Sequence, residues 1–122
     1  MPTTDNTSDN PLLTRLRELV QETDFEFVIE LVDIYLNETP TQIQTMVKAL
    51  DNQDHHMLTI AAHTLKGSSL NLGAKQLGAA CLRLEELGRS DIPISAGIDT
   101  KEIESEFEQV KANLLAFKQS KQ

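Results

Sequence analysis

The chain has 122 residues, 39% of them hydrophobic but only 4% aromatic, with no Trp and a formal net charge of -8. That length suits one domain with a modest core, and an aliphatic, Ala-containing interior favours packed helices over a sheet sandwich. The acidic balance argues against nucleic acid, because phosphate backbones are gripped by clustered Lys and Arg.

Cys81 is the one cysteine, which excludes an internal disulfide and fits a reducing compartment. No apolar run approaches the roughly 20 residues that cross a bilayer. Met1 to Asn10 is polar, without the basic start and apolar stretch of a signal peptide. The expectation is a soluble, cytoplasmic, monomeric domain spanning 11–122, preceded by a disordered tail over 1–10.

Asn10-Pro11 reads as an N-cap followed by proline at the first helical position, opening a short helix to about Val20. Asp24 caps a second helix in which Phe25, Val28, Ile29, Val32, Leu36, Ile43, Val47 and Leu50 recur at helical spacing. Pro40 interrupts it, but the apolar phase continues past the proline, so one kinked helix is expected. Asp51 to Gln53 forms the turn out. Asp54 caps a third helix that ends at Gly73, a natural left-handed terminator. A fourth runs from about Lys75 to Leu87, with Leu77, Ala80, Cys81, Leu84 and Leu87 on one face and Gly88 as its stop. Gly88 to Ile98 is the longest loop. Asp99-Thr100-Lys101-Glu102 resembles a capping box before a last helix lined by Ile103, Phe107, Val110, Leu114 and Phe117. The fold class is all-α: an antiparallel four-helix bundle with an additional short N-terminal helix.

Three histidines raise metal binding, and spacing argues against it. His56 and His63 share a face but stand about 10 Å apart along a helix axis, while a zinc–imidazole bond is about 2 Å. The residues midway, Thr59 and Ile60, are no ligands. No Glu-x-x-His pair occurs, so the di-iron bundle pattern is missing and no metal site is assigned. A serine triad is equally unsupported, with no Gly-x-Ser-x-Gly elbow to expose a nucleophile. Cys81 falls on a core stripe and reads as a small buried residue.

The stretch Ala61-Ala62-His63-Thr64-Leu65-Lys66-Gly67-Ser68-Ser69 is different. At about 100° per residue, Leu58, Ala62, Leu65, Ser69 and Leu72 gather on one side, and His63 falls roughly opposite. Lys66 lies one turn on, and Gly67 clears the space beside the ring. Neutral imidazole is nucleophilic near pH 7, since its ordinary pKa is about 6.5. Attack on a phosphoryl group gives a phosphoramidate, a reversible carrier state, and such transfer needs little beyond placement and charge stabilisation. Lys66 supplies the charge. Gly67 lets a partner approach; a tight helix–helix contact would explain that glycine equally well. Leu70 is an apolar docking contact within about 20° of His63 by the same wheel. Thr59, Ile60 and His56 line the same region. Ser68 and Ser69 are packing residues, and Lys75, Gln76 and Arg83 default to solvated surface.

His63-Thr64-Leu65-Lys66-Gly67-Ser68-Ser69 followed by Asn71-Leu72-Gly73-Ala74 closely resembles the signature of histidine-containing phosphotransfer (HPt) domains. The likeness is tightest over about Leu58 to Arg89. The Phe-containing segment with Pro40 resembles the family's preceding helix, so most of the chain from about Leu12 is covered. The resemblance implies that His63 accepts phosphate from an aspartyl phosphate on a receiver domain and passes it to another receiver. It implies as partners response-regulator receivers and a hybrid histidine kinase, with the receiver bringing the Mg²⁺, so the chain needs no cofactor of its own. It also implies a polar side chain from the next helix near the histidine. Glu85 is the candidate, able to orient a ring N–H but also to repel phosphate. With no ATP-binding segment in view, the chain is expected to be a phosphotransfer intermediate rather than an enzyme. The alternative is a scaffold of the same shape that docks receivers without transfer.

Overall fold

A computed structural model describes residues 10–120, so most of the expected disordered tail lies outside the described residues. Five helices follow one another: α1 (Pro11–Glu22), α2 (Phe25–Asp51), α3 (His55–Asn71), α4 (Lys75–Arg89) and α5 (Lys101–Gln119). No strand occurs among the described residues. The four longer helices form the bundle and α1 packs against α2 and α5 at one end.

The expected caps close the first three helices. Asn10 Oδ1 accepts from the Leu12 and Leu13 amides, Asp24 from Phe27, and Asp54 from Met57. Each satisfies amides that have no partner within the helix. Pro40 sits on the exposed side of α2, which runs unbroken for 27 residues. Proline removes the donor that the Leu36 carbonyl would otherwise accept from, and beside it the Thr39 hydroxyl donates to the Tyr35 carbonyl at 2.7 Å.

Two boundaries depart from the sequence expectation. Gly88 does not stop α4. It is buried inside the helix, which continues to Arg89 and yields at Ser90. The capping box before α5 does not form either: Asp99 accepts from the Lys101 amide, Thr100 donates to Glu104, and Glu102 pairs with Arg83.

The core is aliphatic, with Leu16, Val28, Val32, Met46, Leu58, Ala62, Leu65, Leu77, Cys81, Ile103 and Leu114 almost fully removed from water. Tyr35 brings the main polar atom, and its hydroxyl meets Ser69 at 2.8 Å inside the bundle. Burial pushes the Tyr35 phenol up to about 12. The loop after α4 is fastened to the start of α3. Gln53 exchanges two hydrogen bonds with the Ile94 backbone at 2.8 and 2.9 Å, and the His55 ring reaches the Ile92 carbonyl at 2.8 Å.

Candidate functional site

The α3–α4 hairpin carries the site. Its turn needs a left-handed residue, and Gly73 takes it at φ 88°. Going along α3 from Thr59 through His63 to Leu70, the facing residues on α4 run backwards from Gly88 through Glu85 to Gly78. Two glycines let the helices close. A methyl group on Gly88 would stand 2.8 Å from the Thr59 nitrogen, and one on Gly78 would meet Leu70. At Gly88 the facing atoms are backbone, so the lack of a side chain brings the two backbones together there, whereas at Gly78 the space is taken by the Leu70 side chain.

His63 projects from this groove with 61% of its side chain exposed. Its Nδ1 lies 2.9 Å from Oε2 of Glu85. Glu85 is only 3% exposed, yet charged groups surround it. Nζ of Lys66 is 2.7 Å from Oε1, and the Arg89 guanidinium is 2.8 Å from Oε2. Lys66, then Arg89 and His63, hold this carboxyl down to about 2, against a burial that would raise it. A carboxylate this buried stays charged because it has such partners, since a lone buried charge costs several kcal/mol.

An ionised carboxylate only accepts hydrogen bonds, so the Nδ1 atom of His63 is the donor. In the neutral ring the lone pair then sits on Nε2, pointing away from Glu85. The site therefore leaves a defined lone-pair nitrogen free of Glu85, with two cations held on the same carboxylate.

The predicted residues divide when placed on this frame. Gly67 borders open space, with nothing within 4 Å of where a Cβ would stand, which removes the helix-packing explanation for it. Leu70 and Ile60 are 47% and 45% exposed, and His56 is exposed on the same helix. Thr59 is half-buried instead, its hydroxyl donating to the His55 carbonyl and its side chain lying against Gly88. Glu85, the candidate for the polar side chain near the histidine, is too buried to offer a docking surface and stands against the ring nitrogen. Lys66 is mostly covered, at 21% side-chain exposure, and committed to Glu85. Arg83 pairs with Glu102 on α5, and Lys75 and Gln76 line a cleft with Pro11 and Glu106 at the far end of the hairpin.

Arg89 carries no role in the sequence reading. Its signal was its position one turn after Glu85, the spacing of a helical ion pair, but a helix expected to end at Leu87 hid it. Among the described residues no three His, Cys, Asp or Glu side chains converge as a metal site, and no helix is long and apolar enough to cross a membrane.

Fold and site together define an all-α bundle that holds out one imidazole backed by a buried carboxylate. The model of the Hpt domain matches residues 30–113, well over half of the chain, and the chain belongs to that family. Multistep phosphorelay regulator 1 of Schizosaccharomyces pombe is 31% identical over 80 residues, covering 66% of this chain and 27% of that protein. Histidine-containing phosphotransfer protein 5 of Arabidopsis thaliana is 33% identical over 76 residues, covering 60% of this chain and 48% of the relative. Histidine-containing phosphotransfer protein 2 of the same plant is 30% identical, with 60% and 49% covered. The chain thus spans about half or less of these relatives' length. No solved structure gives a significant match.

Proposed function

We propose that this chain is a phosphocarrier of a His–Asp phosphorelay, with His63 receiving a phosphoryl group from one receiver domain and yielding it to another. The observation that carries the proposal is the 2.9 Å contact between Nδ1 of His63 and Glu85, which leaves Nε2 exposed as the nucleophile. Membership in the Hpt family and the names of the relatives support the same reading.

Nε2 attacks the phosphorus of an aspartyl phosphate held in the partner's acidic, Mg²⁺-binding site. Such a transfer is governed by placement and by charge around the equatorial oxygens. Lys66 and Arg89 supply positive charge behind the ring, and Gly67 leaves room for the partner's loops. Leu70 and Ile60 offer apolar contacts on either side, with His56 at the rim. A hybrid histidine kinase is the proposed upstream source of phosphate.

The test is incubation with a receiver carrying labelled phosphate. Acid-labile, base-stable label on this chain, absent from His63→Gln, is the expected result. Label retained by His63→Gln overturns the assignment, and complex formation without any label identifies a docking scaffold instead.

A further inference from the structure

Glu85 imposes a condition that a neutral side chain in its place would not. A carboxylate offers acceptors only, whereas an amide can turn over and donate. Lys66 and Arg89 fix the carboxylate within the hairpin, so its 2.9 Å contact exists only while Nδ1 of His63 carries a hydrogen. We propose that Glu85 is a positioning residue that holds the Nδ1 proton through the whole transfer cycle, so that His63 carries phosphate as a phosphoimidazolium and exchange with a receiver neither takes up nor releases a proton. This rests on the phosphocarrier reading above.

The atoms balance without a proton. On loading, the Nε2 lone pair forms the N–P bond while the P–O bond to the receiver aspartate breaks, its electron pair staying on the carboxylate. On unloading, a carboxylate oxygen of the receiver aspartate forms the new P–O bond while the N–P pair returns to Nε2 and a neutral imidazole departs. A ring stripped of its Nδ1 hydrogen would have to depart as imidazolate, a far stronger base and a poorer leaving group. Retaining that proton keeps the carried phosphate transferable.

The surrounding charges decide whether Glu85 can do this. On α3 the group facing Glu85 is the Lys66 cation; on α4 they are the Arg89 cation and the Cys81 thiol, which burial keeps neutral by pushing it up to about 12. Glu85 is the anion that contacts His63 among the described residues. Lys66 and Arg89 fix where this carboxylate stands, and its contact is with Nδ1, the ring nitrogen that does not carry the phosphate.

The experiment loads the full chain, with ¹⁵N-labelled histidine, from inorganic phosphoramidate and follows the ring nitrogens of phosphorylated His63 by NMR from about pH 6 to about pH 9. Nδ1 is expected to stay protonated throughout, and transfer to an unphosphorylated receiver to vary by no more than about twofold. Glu85→Gln keeps the volume and an acceptor. It is expected to lose the proton across neutral pH, its transfer then falling about tenfold per pH unit. Deprotonation of the parent near neutrality, or parallel pH profiles in the two proteins, overturns the inference. The parent titration decides alone should Glu85→Gln not fold. A chain that loads on His63 but loses the Nδ1 proton leaves the carrier function standing. A chain that accepts phosphate from neither phosphoramidate nor a receiver removes both.

Discussion

Gly88 lies against the backbone of Thr59 so closely that an added methyl group would stand 2.8 Å from the Thr59 nitrogen and 2.9 Å from the His55 carbonyl oxygen. Neither atom is a flexible tip that can step aside. The missing side chain lets α4 approach α3 one turn beyond Glu85, and so helps set the reach of that carboxylate to His63.

Gly88→Ala is therefore expected to destabilise the fold by about 1–3 kcal/mol, the usual cost of overpacking. It should also slow phosphotransfer by widening the His63–Glu85 gap. Calorimetry and the receiver assay check both. An unchanged melting temperature would show that the two helices part freely here.

Gly67 answers oppositely because its surroundings are open. Gly67→Ala should raise stability by about 0.5–1 kcal/mol, since glycine inside a helix loses more backbone entropy than alanine. Gly67→Gln should melt near the parent and load normally from phosphoramidate, yet accept phosphate from a receiver more slowly. Equal receiver rates would mean that the partner does not pass over this position.

The hydrogen bond between Tyr35 and Ser69 is buried and 34 residues apart in sequence. Ser69→Ala removes a partner that the Tyr35 hydroxyl cannot replace from water, at a cost of about 1–3 kcal/mol. Combining it with Tyr35→Phe should recover part of that loss, because no unpaired hydroxyl then remains. Urea unfolding of the two single variants and the double variant measures the coupling. Strict additivity of the three would contradict a direct bond.

Acid should reveal the charge cluster. Lys66 and Arg89 hold Glu85 at about 2, below its ordinary 4.5, so the folded chain binds this proton less readily than the unfolded one. The stabilisation it gives is complete above about pH 4.5 and is lost as the pH falls towards about 2. Glu85→Gln should flatten that part of the stability curve. An identical acid profile for parent and variant would show that the cluster contributes nothing to folding.

Several elements were legible residue by residue. Asn10-Pro11, Asp24 and Asp54 announce helix starts through their own side chains, and Gly73 takes the left-handed turn that only its lack of a Cβ makes easy. The apolar period across Pro40 correctly predicts one helix. Gly88 shows where local signals fail. A glycine near a helix end looks alike whether it terminates the helix or admits a neighbouring backbone, and only the Thr59 contact separates the two. Arg89 disappeared with that misplaced boundary.

His63, Lys66 and Gly67 are neighbours on one helix, so their common face followed from the period of the α-helix and the order of residues. Glu85 and Arg89 come from another helix. Whether they meet the imidazole depends on how closely and in what register two helices pack, which Gly88 helps settle through its contact with the Thr59 and His55 backbone. The amino-acid order determined the bundle, its helix starts and the exposed position of the His63 ring. Tertiary packing alone decided which nitrogen of that ring faces the solvent, because the carboxylate that claims the other one arrives from across the hairpin.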